Sequence, residues 1–319
     1  MSSVARPFRL ATRGSPLARW QADRVVALLA AVGVAAEPMI VDTEGDRRTD
    51  VPLAQIGGQG VFVKEVQAAV ARGDADAAVH SAKDLPASEA LSIPGMVIGA
   101  FPERGDPRDV LVGGRLEGLP TGALVATGSA RRRVQLANLR PDLTFTDLRG
   151  NLATRLAKVG ADGVIAVVAA RAALDRLDWD PPPGMAVETL EPEVMLPQVA
   201  QGALAVECRA EDDVTRTILA AIDDDSVRYL VEAERAFLAE LGGGCTLPVG
   251  AHAVPVSAVD ANGGNSRIRL TGMVAGADGL VVLRHEMVGT DGLALGRAVA
   301  RYLIDDAGGA ELMSWSPAP

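Results

Sequence analysis

Residues 8–20 read FRLATRGSPLARW, and this stretch sets the fold of the N-terminal part of the chain. The run from Phe8 to Thr12 is typical of a β-strand, and Pro16 is a favoured first residue of a helix predicted to extend to about Ala31. Further strand-to-helix units are predicted at 123–139, 144–158 and 164–177. Such alternation indicates an α/β protein in which helices pack against mostly parallel sheets.

The overall composition argues against several classes of protein. The 319 residues carry a net charge of −10 and only 3% are aromatic, so the basic field and stacking surfaces of a nucleic-acid binder are not expected. No uncharged apolar run reaches the ~18 residues that a membrane span needs. Arg6, Arg9 and Arg13 interrupt the first twenty residues, which argues against a secretion signal. A soluble, cytoplasmic protein is predicted.

The few cysteines and histidines do not predict a metal site. Cys208 and Cys245 lack the spacing of a metal-binding or redox pair, and a reducing compartment fits them best. His80, His252 and His285 share no ligand-like spacing with them, so each histidine is interpreted as structural.

Arginines gather where predicted helices begin. Residues 131–133 are three arginines that follow Ser129, a good N-cap, and cations at this end of a helix are unfavourable unless an anion neutralises them. Arginines also stand at the junctions around Arg13 and around Arg149 and Arg155. Bound carboxylate or phosphate would fit equally well, and the alternative for each cluster is a solvated basic turn.

Two further residues are candidates for chemistry. Asp84 follows Lys83 just after a predicted buried strand, where a carboxylate could stabilise a developing cation or relay protons. The alternative is an ordinary ion pair. Cys245 follows three glycines, and a loop of that kind can bring a thiol into a cleft, whereas Cys208 is expected to be a small buried residue.

Six short motifs are spread over nearly the whole chain. They are ATRGSPLA at 11–18, GGQGVFVKE at 57–65, VHSAKD at 79–84, LRGN at 148–151, QGA at 201–203 and GGC at 243–245. Together, and in this order, they resemble the motifs of the hydroxymethylbilane synthase (porphobilinogen deaminase) family. Gln55 and Gln59 stand where many relatives have lysine, and Gly128 stands where serine is common.

The resemblance implies a specific architecture. Two similar α/β domains of the periplasmic-binding-protein (type 2) kind are expected, together with a smaller C-terminal α/β domain. The implied bounds are 1–101 with 199–217 for the first domain, 105–195 for the second and 222–319 for the third, with hinge strands near 101–106 and 194–199. The resemblance also suggests a monomer.

The resemblance further implies an activity. Family members join four porphobilinogen molecules head to tail with release of ammonia, on a dipyrromethane cofactor, and hydrolysis then frees hydroxymethylbilane. Asp84 matches the catalytic aspartate, and Cys245 matches the cysteine that holds the cofactor through a thioether. The other cofactor contacts implied are Lys83, Asp84, Thr127, Ser129, Arg131, Arg132, Arg149 and Arg155. The implied substrate contacts are Arg13, Ser15, Ser81, Arg149, Arg155 and Arg176.

Two other readings of the sequence stay open. A noncatalytic binding protein of periplasmic type would use the same hinge and anion cleft, although it would need neither Cys245 nor Asp84. Nucleic-acid binding through residues 131–133 conflicts with the acidic total charge.

Overall fold

The computed structural model describes residues 6–43, 63–88, 93–242, 248–256 and 267–312. The strands in this part of the chain are β1 Phe8–Arg13, β2 Ala36–Val41, β3 Ala77–Ser81, β4 Met96–Ala100, β5 Asp109–Val112, β6 Leu124–Ala126, β7 Thr144–Thr146, β8 Val164–Ala170, β9 Val187–Leu190, β10 Leu204–Arg209, β11 Val249–Pro255, β12 Ile268–Ala275 and β13 Val282–Gly289. The α-helices are α1 Pro16–Ala31, α2 Lys64–Ala71, α3 Ala130–Leu139, α4 Leu152–Leu156, α5 Arg171–Arg176, α6 Asp213–Ala220, α7 Asp225–Glu240, α8 Gly292–Arg301 and α9 Gly309–Leu312.

The chain divides into two compact units. The first comprises Met1–Arg104 and Ala203–Arg228, and the second comprises Gly105–Gly202 and Tyr229–Pro319. The chain therefore leaves the first unit after Arg104, returns to it at Ala203 and leaves it again after Arg228. The three-domain division implied by the resemblance is finer than this one and stays a prediction.

The first unit is built on a five-stranded mixed sheet in the order β2-β1-β3-β10-β4. Strands β1, β2 and β3 are parallel, whereas β10 is antiparallel to both of its neighbours. Helix α1 begins at Pro16 because the hydroxyl of Ser15 accepts a hydrogen bond from the Ala18 N–H. Its buried residues recur every three or four positions and cover the sheet.

The second unit contains a five-stranded sheet with the same pattern of directions. Its order is β7-β6-β8-β5-β9, in which β6 is parallel to β7 and β8 while β5 is antiparallel to β8 and β9. The unit also holds an antiparallel sheet, β11-β12-β13, against which α8 packs. Two mixed sheets of one pattern and a smaller sheet confirm the predicted α/β class.

Two antiparallel strands are a departure from the mostly parallel sheets that the strand-to-helix pattern predicts. Both β5 and β10 begin within a few residues of a point where the chain passes from one unit to the other. The local strand-to-helix pattern cannot indicate the direction of β5 and β10, because the strands that pair with them are mostly far away along the chain. Within the described residues, no helix is long and apolar enough to cross a membrane.

Candidate functional site

A small cleft in the first unit lies where strands β1 and β3 end. Ser81 is the last residue of β3 and leads into a short 3-10 helix, Ala82–Asp84. The residues that line the cleft are Arg13, Ala18, Gln21, Val63, Val79, His80, Ser81 and Asp84. The parallel pairing of β1 with β3 explains this convergence, because parallel strands end at the same edge of a sheet. Three predicted site residues, Arg13, Ser81 and Asp84, are therefore brought together.

Two other predicted residues lie near this cleft without forming its wall. Ser15 caps α1, with 3.3 Å between its Oγ and the Ala18 nitrogen. Lys83 is in the same turn as Asp84 and is partly buried. Neither Ser15 nor Lys83 is among the described residues that line the cleft.

A buried polar group supports the cleft from within. Nε2 of His80 lies 3.1 Å from Oε2 of Glu207 on β10, and Gln67 donates to that same carboxylate oxygen at 2.8 Å. All three side chains are buried. Sequence reasoning assigned neither His80 nor Gln21 to the site. The available signal was Glu207 itself, because an acidic residue inside an apolar strand requires buried polar partners.

In the second unit, two strand-to-helix junctions lie side by side. The Thr127 N–H, just after β6, donates to the Thr146 carbonyl at the end of β7 over 2.9 Å. A β-carbon added to Gly128 would lie 3.0 Å from the Leu148 carbonyl oxygen, so the two backbones are close there. The side chain of Ser129 accepts from the Arg132 N–H and caps α3. The positive ends of neighbouring helices thus share one edge of the sheet.

A buried carboxylate holds two of the predicted arginines. Oδ1 of Asp109 lies 2.7 Å from Nη2 of Arg132, and Oδ2 lies 2.8 Å from Nη1 of Arg131. Gln201 also donates to Oδ1 over 3.0 Å. Burial raises the pKa of Asp109, but the two guanidinium charges outweigh it and bring that pKa below its ordinary value. The carboxylate is therefore ionised, and it offsets one of the two positive charges.

Some guanidinium nitrogens in this unit are left without partners. Among the residues that the structure describes, Nε and Nη2 of Arg131 and Nη2 of Arg149 are buried and make no hydrogen bond. A buried donor without an acceptor costs about 1–3 kcal/mol, so these atoms fit a ligand that brings acceptors. Carboxylates match guanidinium groups in charge and geometry. The residues present therefore fit a carboxylate-bearing cofactor.

Other predicted arginines contact the backbone of their own unit. Nε of Arg155 donates to the Gly150 carbonyl over 2.7 Å, and Nη2 of the buried Arg176 donates to the Gly202 carbonyl over 2.6 Å. Arg133 is partly exposed and pairs with Asp147 at 2.9 Å. The roles of Arg155 and Arg176 in binding stay predictions.

The two cysteines differ in what the structure says of them. Cys245 lies outside the described residues, as do Gln55 and Gln59. Cys208 is buried in β10, and burial raises the pKa of its thiol to about 11, which makes it a poor nucleophile. Within the described part of the chain, no three His, Cys, Asp or Glu side chains are grouped so as to hold a metal ion.

The cleft of the first unit and the arginines of the second indicate one class of protein. An acidic group in a cleft with an arginine, and buried arginine donors at adjoining helix N-termini, are typical of an α/β protein that acts on a small anionic molecule.

Comparisons with known proteins give the family. Residues 8–217 match the model "Porphobilinogen deaminase, dipyromethane cofactor binding domain", and residues 228–305 match "Porphobilinogen deaminase, C-terminal domain". The chain is 46% identical to porphobilinogen deaminase of Acidothermus cellulolyticus, covering 93% of this chain and 88% of the relative. It is also 46% identical to that of Mycolicibacterium paratuberculosis, covering 96% of each. The chain belongs to the porphobilinogen deaminase family, whose members are transferases.

One solved structure illustrates the wider structural likeness. A nutrient binding protein from Burkholderia cenocepacia bound to methionine is similar over 69% of this chain and 93% of that chain, with 16% identity and a TM-score of 0.42.

Proposed function

We propose that this chain is a hydroxymethylbilane synthase. It joins four porphobilinogen molecules head to tail, releases one ammonia at each step and hydrolyses the finished chain to hydroxymethylbilane. Growth takes place on a dipyrromethane cofactor attached by a thioether to Cys245. The observation that carries the proposal is the set of buried, unpartnered nitrogens on Arg131 and Arg149, because each pyrrole unit bears two carboxylates that can accept from them.

The arginines of the second unit bind and orient the growing chain. The bound dipyrromethane supplies the pyrrole carbon at which the chain is extended. Arg131 presents two donor nitrogens without partners, Nε and Nη2, and this pair suits one bidentate carboxylate. Arg149 presents one more from the neighbouring junction. Thr127 and Ser129 lie just before α3, and Ser129 caps that helix at the end where the helix dipole favours an anion.

Asp84 acts on the charge that the reaction creates. When the carbon–nitrogen bond of porphobilinogen breaks and ammonia leaves, positive charge develops on the methylene carbon and its ring. A fixed carboxylate stabilises such charge better than water, because it needs no reorganisation. Arg13 lines the same cleft and is placed to bind a substrate carboxylate beside it. A new carbon–carbon bond then forms, and the displaced ring proton leaves through the cleft.

Intact-mass measurement of the purified full-length chain tests the proposal. The expected mass exceeds that of the sequence by one dipyrromethane. A Cys245→Ser variant should have the mass of its sequence alone. Cys208→Ser is the matched control, because that thiol is buried and should leave the added mass in place. A wild-type chain of unmodified mass, even after incubation with porphobilinogen, would exclude the synthase and favour a noncatalytic binding protein.

We also propose that the protein acts as a monomer in the cytoplasm. The family resemblance supports the first point, and the spacing of Cys208 and Cys245, which fits a reducing compartment, supports the second. Light scattering during size-exclusion chromatography tests the first, with 33.0 kDa as the expected mass before any cofactor is added.

A further inference from the structure

Gln135 is a buried connector beneath the helix that carries Arg131. Its Oε1 accepts from the Leu196 N–H at 2.8 Å and from Nη2 of Arg284 at 2.7 Å. Its Nε2 donates to the Leu196 carbonyl over 3.1 Å. Because both ends of the amide are bonded, the side chain of Gln135 holds the backbone of Leu196 in one position.

The Leu196 carbonyl in turn holds Arg131. Nη1 of Arg131 donates to it over 2.6 Å, on the same oxygen that Gln135 contacts. The stem of Arg131 is also enclosed, since a β-carbon added to Gly250 would lie 3.3 Å from its Cδ. The bond from Nη1 therefore orients this guanidinium, while Nε and Nη2 make no hydrogen bond within the described chain.

Arg284, on β13, is the outermost member of this series of contacts. Besides Gln135, its guanidinium donates to the carbonyls of Glu193 at 2.5 Å, Pro192 at 3.3 Å and Val194 at 3.4 Å. A planar guanidinium can serve several acceptors at once, which a glutamine or lysine cannot reproduce. The contacts of Arg284 therefore fix the segment that leads into Leu196.

We propose that Arg284 is a positioning residue for Arg131: through Gln135 and Leu196 it sets the direction in which Arg131 offers its free N–H groups to a cofactor carboxylate. This inference rests on the proposed function and extends it. It gives the C-terminal antiparallel sheet a supporting role in the carboxylate site, since the described hydrogen bonds of Arg284 go to Gln135 and to three backbone carbonyls and not to Arg131.

Cofactor uptake by the full-length chain tests the inference. The chain is produced in cells that make no porphobilinogen, porphobilinogen is added, and intact mass follows the rate at which dipyrromethane appears. Arg284→Gln should slow uptake about tenfold, the effect expected when a charged hydrogen bond that orients a binding group is lost. Arg269→Gln is the matched control, because Arg269 is an exposed arginine of the neighbouring strand whose only described partner is Glu286 at 3.8 Å. It should match wild type.

A double variant separates positioning from a general structural role. Because Arg284 acts through Arg131, adding Arg284→Gln to Arg131→Lys should slow uptake no further than Arg131→Lys alone. The inference would be overturned if the double variant took up cofactor more slowly than Arg131→Lys by the same factor that Arg284→Gln shows alone. It would also be overturned if Arg284→Gln and Arg269→Gln took up cofactor at equal rates. If Arg284→Gln does not fold, as judged by circular dichroism, Arg284→Lys replaces it in the same comparison. If the wild-type chain takes up no cofactor, the proposed function itself is contradicted, and this outcome is distinct from a failure of the inference about Arg284.

Discussion

Asp109 and Arg132 form an ion pair in the interior of the second unit, with 2.7 Å between Oδ1 and Nη2 and with both side chains buried. Replacing Asp109 by Asn leaves the charges of Arg131 and Arg132 without compensation. We expect the free energy of unfolding to fall by about 3–5 kcal/mol. Urea denaturation measures it. Asp162→Asn, which breaks an exposed pair with Lys158, should cost less than about 1 kcal/mol. Equal losses would contradict the role given to burial.

The same carboxylate should make stability depend on pH. Because folding lowers the pKa of Asp109 below the 3.8 of a free aspartate, its contribution is complete above that pH and is lost as the pH falls toward the folded value. The difference in melting temperature between wild type and Asp109→Asn should therefore shrink below pH 4. Calorimetry between pH 3 and 6 measures this, and a constant difference would show that Asp109 is not ionised in the folded protein.

Asp84→Asn should separate catalysis from folding. The amide keeps the shape of the side chain but lacks the charge that stabilises a developing cation. We expect turnover to fall about a hundredfold to a thousandfold, with the free energy of unfolding changed by less than about 0.5 kcal/mol. Release of ammonia measures turnover. Asp74→Asn, at an exposed aspartate of the same unit, should keep full activity. Near-normal turnover in Asp84→Asn would remove the catalytic assignment.

Arg149→Ala should impair cofactor assembly or elongation, because one of the unpartnered donors for the chain's carboxylates is lost. With limiting porphobilinogen, intact mass should show slower cofactor uptake or an accumulation of short chain-bound products. Arg133→Ala is the control, because Arg133 is partly exposed and already pairs with the exposed Asp147. Identical product distributions in the two variants would argue against a carboxylate site at Arg149.

Gly202→Ala should destabilise the second unit for two reasons. Gly202 has a φ of +87°, and an added β-carbon would overlap the carbonyl oxygen of Gly105. Gly184→Ala is the control for backbone strain without a steric overlap. Gly184 has a φ of +82°, and no atom lies within 4 Å of the position that an added β-carbon would take. Strain should cost each variant about 1–3 kcal/mol, and Gly202→Ala should lose more. Equal melting temperatures would mean that the two backbones can separate.

Local patterns predicted the helices of this protein well. The helix from Pro16 to Ala31 has the predicted bounds, because Ser15 and Pro16 start it and the left-handed Gly33 follows its end. Ser129 is the predicted cap of α3. Signals of this kind act within a few residues, so a single sequence contains them in full.

Local patterns could not predict the contacts between residues that are far apart in the chain. Strand β10 lies between β3 and β4, and its partners in β3 are more than 120 residues earlier in the chain. The buried role of Arg132 depends on Asp109, which reaches it only because β5 is antiparallel beside β8. Sequence reasoning placed Arg132 among the ligand-binding arginines by resemblance, and it had no means of finding the internal carboxylate.

The position of β10 also determines when the first unit can be completed during synthesis. Residues 204–209 supply the strand that joins β4 to the other three strands, so the sheet stays open until they have left the ribosome. By then the strands of the second sheet, which end at Leu190, have already been made. The five-stranded sheet that contains the earliest strand of the chain is therefore the later of the two five-stranded sheets to receive all its strands.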